Sequence, residues 1–269
     1  IALRRDIAMA EQAGDHALVK ELRDDYEYDG IQTCAVDGMC AVACPVDINT
    51  GDLVRRLRAE TRNPVLNAGW SAAAKAWGPV TRVGGMALSV AKAMPTPLAK
   101  AATTVGRAVL GAEVMPQYSG VLPSGGSARP KPAGDSTTAD AVFFAACIGT
   151  MFGPASGGGF GPASGGANGP TTGVRGIGST QAFLALAERS GVELVIPEHS
   201  GSLCCGTPWK SKGFLDGYRS MADLVLPALV AASDGGRLPI VCDAASCTEG
   251  LETMQAIVTA SGASHPELH

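Results

Sequence analysis

Cysteine is sparse in this chain, with eight among 269 residues, and that density is too low for a small scaffold held together by disulfides. Basic residues are also in deficit, because 21 lysines and arginines face 25 acidic residues, which argues against a general nucleic-acid-binding protein. No run of about 18 uninterrupted apolar residues occurs, so no membrane-spanning helix is predicted. The four histidines have no metal-ligand spacing. Nevertheless 46% of the residues are apolar, which is enough to form a buried core and excludes wholesale disorder.

Charge and hydrophobic pattern divide the chain. Residues 1–48 carry a net charge of −6, residues 49–112 a net charge of +7 and the remainder −5. Strong helix formers at helical spacing continue to about residue 115 and predict an all-α domain over 1–115. Within it, the basic helical segment 49–112 is either a docking surface for an acidic partner or an anionic membrane, or only the solvated side of amphipathic helices.

A stretch rich in proline, glycine and serine over 116–138 predicts a linker. In residues 139–269 short apolar runs alternate with helical patterns, and this alternation predicts an α/β domain with a parallel sheet. The domain is interrupted at 153–179, where the sequence FGPASGG occurs twice, and we expect a flexible insertion there. No dinucleotide-binding or P-loop pattern is present, so a solvated loop is favoured over a phosphate-binding one. The predicted fold class is therefore mixed.

One row of cysteines gives the clearest chemical signal. Cys34, Cys40, Cys44 and Pro45 match the bacterial ferredoxin row C-x2-C-x2-C-x3-C-P, except that Asp37 stands at the second cysteine position. Such a tight loop aims several thiolates at one iron–sulfur cluster. A carboxylate oxygen also binds iron, as a harder ligand than thiolate, so Asp37 is a candidate ligand. The alternative for Asp37 is a solvent-facing residue of the loop.

The same row has other interpretations. They are a structural zinc site, disulfides and plain buried thiols, although zinc sites favour paired C-x2-C units, which are missing here. In two-cluster ferredoxins the fourth cysteine of a row binds the other cluster. Because the chain contains no second row, we expect one upstream of Ile1. We therefore expect the chain to be a segment of a longer polypeptide, cut at both ends.

Five further cysteines form a looser set. They are Cys147, the adjacent pair Cys204 and Cys205, and then Cys242 and Cys247. They lie at the ends of predicted strands or in the loops after them, which line the ligand-binding edge of an α/β sheet. Adjacent cysteines seldom arise for packing, since neighbouring side chains diverge, and Gly206 lets the backbone approach a bulky cluster. The alternatives are a vicinal disulfide and buried inert thiols. Trp209 either shields this site or packs in the core.

The doublet, within LCCGTPWKSKG, resembles the cysteine-rich CCG domain shared by heterodisulfide reductase subunits, glycolate oxidase iron–sulfur subunits and related partners of flavoenzymes. Here 56 residues separate Cys147 from Cys204, and removing the 27-residue insertion leaves 29, close to the family interval. The last element is Cys-x4-Cys instead of the family's Cys-x2-Cys. The resemblance therefore implies cluster ligands at Cys147, Cys204, Cys205 and Cys247, with Cys242 as the alternative to Cys247.

With the ferredoxin-like row followed by the CCG-like motif, the chain resembles the C-terminal region of FAD-linked D-lactate and other D-2-hydroxyacid dehydrogenases. This resemblance implies 4Fe–4S clusters in this chain, FAD and the substrate site in an upstream module, and a quinone or cytochrome-type electron acceptor. The chain would then relay electrons and carry no catalytic residue. Two alternatives are a stand-alone iron–sulfur electron-transfer subunit and a heterodisulfide reductase-like thiol–disulfide subunit. We expect a cytoplasmic protein, either free or peripheral on the inner face of the membrane.

Overall fold

The computed structural model describes residues 2–111, 115–153 and 177–260, with the backbone alone for 257–260. Most of the predicted insertion, residues 154–176, lies outside the described residues. Within the described ranges the chain is mainly helical and has one small parallel sheet, so the predicted mixed fold class is confirmed at this level. None of the described helices combines the length and the apolar character that crossing a membrane requires.

The α-helices are α1 (Ala2–Ala13), α2 (His16–Asp25), α3 (Met39–Ala43), α4 (Thr50–Glu60), α5 (Pro64–Lys75), α6 (Trp77–Ala93), α7 (Thr96–Leu110), α8 (Ile148–Met151), α9 (Ser179–Arg189), α10 (Thr207–Lys212), α11 (Leu215–Ala232) and α12 (Ala245–Ala260). The strands are β1 (Ala141–Phe144), β2 (Leu194–Val195) and β3 (Ile240–Cys242). A π-helical segment spans Tyr26–Gln32 and a 3-10 turn spans Ser200–Ser202.

The described residues form two compact units. The first holds residues 2–72 and 207–219, and the second holds the rest. This division differs from the sequence-based boundary at residue 115, because the basic helical segment 49–112 contributes to both units. The reason is that α6 packs against α8 and against the 3-10 turn, which come from the later part of the chain.

Side chains and a proline mark the starts of three helices in the first unit. Asp15 caps α2 by accepting a hydrogen bond from the Leu18 amide at 3.0 Å. Asn49 caps α4 by accepting one from the Gly51 amide at 2.9 Å. Pro64 is the first residue of α5, where its missing amide proton leaves no hydrogen bond unmade. Local sequence thus determines these helix starts.

An aromatic group forms the core of the first unit. Trp209 is fully buried, and its indole Nε1 donates a hydrogen bond to the Trp70 carbonyl oxygen at 2.8 Å. The two rings meet edge to face with their centroids 6.1 Å apart, and Phe214 stacks on Trp70 at 5.5 Å. Trp209 is therefore a packing residue of this unit, supplied by the returning segment 207–219.

The second unit is built on a parallel sheet with the strand order β2-β1-β3. All four residues of the central strand β1 are buried, which agrees with its apolar sequence. On one side Phe143 stacks on Phe183 of α9, with ring centroids 4.7 Å apart. At the end of the strand, Phe144 is in register with Cys242 of β3. The sheet thus brings the residues that follow β1 and β3 to one edge.

Residues 116–138, predicted as a linker, pack along the second unit. Ala133 forms an antiparallel bridge with Ile196 and accepts a hydrogen bond from its amide at 2.8 Å. A Cβ atom added to Gly126 would lie only 1.8 Å from the Gly149 carbonyl oxygen. The glycines of this stretch therefore permit close backbone packing.

Candidate functional site

Two cysteines follow neighbouring strands of the sheet. Cys147 comes three residues after β1 ends and immediately precedes α8, and Cys247 lies in the first turn of α12, five residues after β3 ends. Because β1 and β3 are adjacent and parallel, the segments that follow them meet at the carboxyl edge of the sheet. Binding sites of α/β proteins commonly form at this edge.

Asp243 joins these two segments through its carboxylate. Its Oδ1 accepts a hydrogen bond from the Ala146 amide at 2.7 Å, and its Oδ2 accepts one from the Thr180 hydroxyl. The carboxylate thus holds the residue before Cys147 against the residue after β3. Sequence reasoning missed Asp243. The signal that could have indicated it is an acidic residue placed directly after an apolar strand.

Two glycines of α6 let the cysteine-bearing segments come close. A Cβ atom on Gly78 would lie 2.9 Å from the Gly201 carbonyl oxygen, and one on Gly85 would lie 2.7 Å from the Thr150 carbonyl oxygen. The first of these segments leads into the cysteine doublet, and the second follows the first cysteine of the set. Larger side chains at the two glycines would push the segments away from α6.

Four thiols of the second unit form one continuous set. The sulfur atoms of Cys147 and Cys204 lie 3.7 Å apart. Side-chain hydrogen bonds join Cys204 to Cys205 and Cys205 to Cys247. Cys147 is half-buried, and the other three are buried. The four residues that the family resemblance implies as ligands are therefore brought together from three separate segments of the chain.

Cys242, the alternative to Cys247, has different surroundings. It is half-buried at the end of β3, its side chain hydrogen bonds to Thr248, and burial raises its pKa to about 11. Within the described residues no hydrogen bond links its thiol to the other four cysteines. This environment favours Cys247 as the fourth member of the set.

The pKa values of these thiols diverge. The hydrogen bond with Cys204, helped by the charge of Arg129, lowers the pKa of Cys147 to about 7 against the effect of burial. The same hydrogen bond, together with burial, raises the pKa of Cys204. The hydrogen bond with Cys205, again with burial, raises the pKa of Cys247. Cys147 is therefore the member that ionises most readily when no metal is bound.

Arg129 stands beside the thiols. Its Nη1 donates a hydrogen bond to the Leu203 carbonyl oxygen, and its Nη2 donates one to the Gly201 carbonyl oxygen at 2.8 Å. Burial lowers the pKa of Arg129, and three of the four thiols oppose that shift electrostatically. Sequence reasoning placed this residue in a linker and gave it no role, because the residues that it contacts lie more than 70 positions away.

In the first unit, Cys40 and Cys44 receive several hydrogen bonds at sulfur. The Cys40 Sγ accepts one from the Thr50 hydroxyl at 3.1 Å and one from the Thr50 amide at 3.3 Å. These bonds, the hydroxyl first, lower the pKa of Cys40. The amides of Ile48 and Val46 lower the pKa of Cys44 in the same way. Both sulfurs are therefore prepared to carry negative charge.

The other members of the row have mainly backbone roles. Asp37 is exposed, and its Oδ1 accepts a hydrogen bond from the Met39 amide at 3.1 Å at the start of α3. This contact agrees with the interpretation of Asp37 as a loop residue. The carbonyl oxygens of Cys34 and Ile31 both accept hydrogen bonds from Arg58, at 2.8 and 2.5 Å. Arg58 thus holds the loop that precedes the row.

The donor groups of the described residues differ from those of a single-metal site. In the described residues no three histidine, cysteine or acidic side chains are arranged so that they could hold a single metal ion. All eight cysteines are free, so neither the vicinal disulfide nor a disulfide in the first row is present. An iron–sulfur cluster is several atoms across, and its thiolates surround it instead of converging on one point. Four soft thiols beside a cation fit the ligand type and the charge of such a cluster.

Three features of the second unit define the candidate site. They are the continuous thiols, the carboxylate of Asp243 that joins their segments, and the guanidinium of Arg129 beside them. Neither a protein-family model, nor a curated protein, nor a solved structure matches this chain.

Proposed function

We propose that this chain is the iron–sulfur electron-relay region of an FAD-linked D-2-hydroxyacid dehydrogenase of the D-lactate type. The observation that carries the proposal is the continuous set of four thiols, Cys147, Cys204, Cys205 and Cys247. When bound, an iron–sulfur cluster supplies one-electron transfer between a flavin and an acceptor. The FAD, the hydroxyacid substrate and the quinone or cytochrome acceptor follow from the family resemblance.

Buried cysteines are often inert core residues, so simple packing is the alternative explanation for these four thiols. Inert core thiols need no contact with one another, whereas these four are linked sulfur to sulfur across three segments. Two α6 glycines and the carboxylate of Asp243 are also used to bring those segments together. These contacts all bring the four thiols together, which supports a role for the thiols as ligands.

The charges around the site support the same conclusion. A cation that is withdrawn from water needs a negative partner. Among the described residues Arg129 forms no ion pair with a carboxylate. The nearby positive charge of Arg82 makes this requirement stronger, because it also lowers the pKa of Arg129. Thiolates that bind iron would supply the negative charge.

The protonation states of the four thiols affect how a cluster would bind to them. Metal ligands must be deprotonated, so protons are released when the metal binds. With its pKa lowered to about 7, the Cys147 thiol is about half deprotonated at neutral pH. Cys204 and Cys247, with raised pKa values, hold protons that would leave when a cluster binds.

We propose the row of Cys34, Cys40 and Cys44 as a second cluster site, completed by the upstream row, in a cytoplasmic protein.

The decisive experiment is anaerobic reconstitution with iron and sulfide, followed by iron and sulfide analysis and by EPR after reduction. The double variant Cys204→Ser, Cys205→Ser tests the second unit, and the matched double variant Cys40→Ser, Cys44→Ser tests the first row. We expect the first double variant to lose the EPR signal of the second-unit cluster and the other to retain it. Bound zinc without sulfide, or equal loading of both variants and wild type, would refute the proposal.

One observation favours a second candidate, a thiol–disulfide redox function. Cys147, with a pKa lowered to about 7, lies 3.7 Å from the sulfur of Cys204, as a nucleophile and a resolving thiol would. Mild oxidation of the cluster-free protein with a disulfide reagent, followed by peptide mapping, tests it. A reversible Cys147–Cys204 disulfide in protein that binds no iron and sulfide would favour this function over the relay.

A further inference from the structure

The guanidinium of Arg129 also makes backbone contacts that the proposed relay has not used. It comes from residues 116–138, and its two hydrogen bonds reach the carbonyl oxygens of Gly201 and Leu203. Leu203 is the residue immediately before Cys204. The fork of Arg129 therefore fixes the backbone from which the cysteine doublet projects.

Neighbouring contacts hold Arg129 itself in place. The Ser200 hydroxyl donates a hydrogen bond to the Pro130 carbonyl oxygen at 2.7 Å, so the next residue along the chain is tied to the same turn. Ser200 is buried. Arg129 and the doublet loop are thus connected at two adjacent positions, which leaves the guanidinium little freedom to move away.

We infer that Arg129 is a positioning residue that orients the Cys204–Cys205 loop and whose fixed positive charge raises the reduction potential of a cluster held by the four thiols. This inference rests on the proposed function for its electrostatic half and on the hydrogen bonds alone for its positioning half. A reduced cluster carries one more negative charge than an oxidised one, so a nearby cation stabilises the reduced form.

Two substitutions distinguish the positioning role of Arg129 from its electrostatic role. Arg129→Met removes the charge and the hydrogen bonds while keeping an unbranched side chain that fills the space of the arginine stem. Arg129→Lys keeps the charge but cannot donate in a fork to two carbonyl oxygens. The matched control is Lys131→Met, which removes an exposed positive charge two residues away. The measurements are the midpoint potential of the loaded protein by EPR-monitored titration, and amide hydrogen exchange of the peptide 199–206 in cluster-free protein.

We expect Arg129→Met to shift the midpoint potential to a more negative value, and Arg129→Lys and Lys131→Met to leave it close to the wild-type value. Hydrogen exchange of the loop should be roughly 5- to 30-fold faster in both Arg129 variants and unchanged in Lys131→Met. An unchanged midpoint potential in Arg129→Met, or unchanged loop exchange in both variants, would overturn the inference.

Failure of the proposed function gives a different result. Wild-type protein would then bind no iron and sulfide, which also removes the electrostatic half of the inference. The exchange measurement on cluster-free protein would still decide whether Arg129 positions the doublet loop.

Discussion

The sulfur of Cys147 lies 3.7 Å from the sulfur of Cys204, although 57 positions separate them in the chain. One residue follows a central strand and the other follows a 3-10 turn. Their meeting depends on α6, whose glycines accept both backbones at close range. The relationship is therefore a property of the second unit as a whole.

Cys247 and Cys242 should differ sharply as ligands. In a background in which Cys40 and Cys44 are serine, we expect Cys247→Ser to abolish the EPR signal of the second unit, because it breaks the continuous set of thiols. Cys242→Ser should leave the signal and the iron content close to the wild-type values. Iron and sulfide analysis with EPR checks both. Retention of the signal in Cys247→Ser, with loss in Cys242→Ser, would show that the other cysteine is the ligand.

The two thiols nearest the strand ends should also differ in reactivity when no metal is bound. Iodoacetamide reacts with the thiolate, so its rate follows ionisation. With a pKa of about 7, Cys147 should reach half of its maximal rate near pH 7, whereas Cys242, with a pKa of about 11, should still be gaining rate above pH 10. Peptide mass spectrometry after timed labelling measures both. Coincident pH profiles would contradict the assigned surroundings.

Asp37 offers a test of the ferredoxin-like row. Asparagine keeps an oxygen for the Met39 amide, so Asp37→Asn should leave both stability and iron binding of the first unit unchanged if Asp37 is a loop residue. Asp37→Cys restores the full ferredoxin spacing and should increase the iron and sulfide bound by the first row. Both are measured after reconstitution of a Cys204→Ser, Cys205→Ser background. Loss of iron in Asp37→Asn would instead identify the carboxylate as a ligand.

The buried tryptophan of the first unit should have a large effect on stability. Trp209→Ala removes a fully buried ring and the hydrogen bond to the Trp70 carbonyl oxygen, and we expect it to lower the free energy of unfolding by about 3–5 kcal/mol. Urea denaturation followed by far-UV circular dichroism checks this. Tyr28→Ala is the control, since Tyr28 is 63% exposed and its loss should cost less than about 1 kcal/mol. Similar losses in both variants would contradict the packing described.

Local patterns in the sequence were sufficient for much of the fold. The apolar run 140–146 predicts the buried strand seen at Ala141–Phe144, and Pro64 begins α5 as its fixed backbone geometry predicts. For α4 the sequence predicts Thr50 as the cap, whereas the structure has Asn49 in that role and Thr50 as the first helical residue. Composition predicts a linker over 116–138. It could not show that Ala133 in this stretch pairs with Ile196, since glycine and proline content reports backbone freedom and gives no information on distant neighbours.

Only part of the candidate site could be predicted from patterns in the sequence. The spacing of the cysteines and a family resemblance identified the thiols, and the structure brings together the four that were favoured. Arg129 and Asp243 were missed because each acts across a large sequence separation on backbone groups, which carry no sequence signature. Long-range contacts of this kind follow from the assembled sheet and helices, so no local pattern indicates them.

The first unit is discontinuous, because residues 207–219 return to it after the chain has built most of the second. A single cut between residues 72 and 73 would therefore separate Trp70 from Trp209, and Arg58 from the Ser211 carbonyl oxygen that it binds. Consecutive fragments of the chain thus cannot each hold one complete cysteine-bearing unit, because the first unit takes residues from both sides of most of the second.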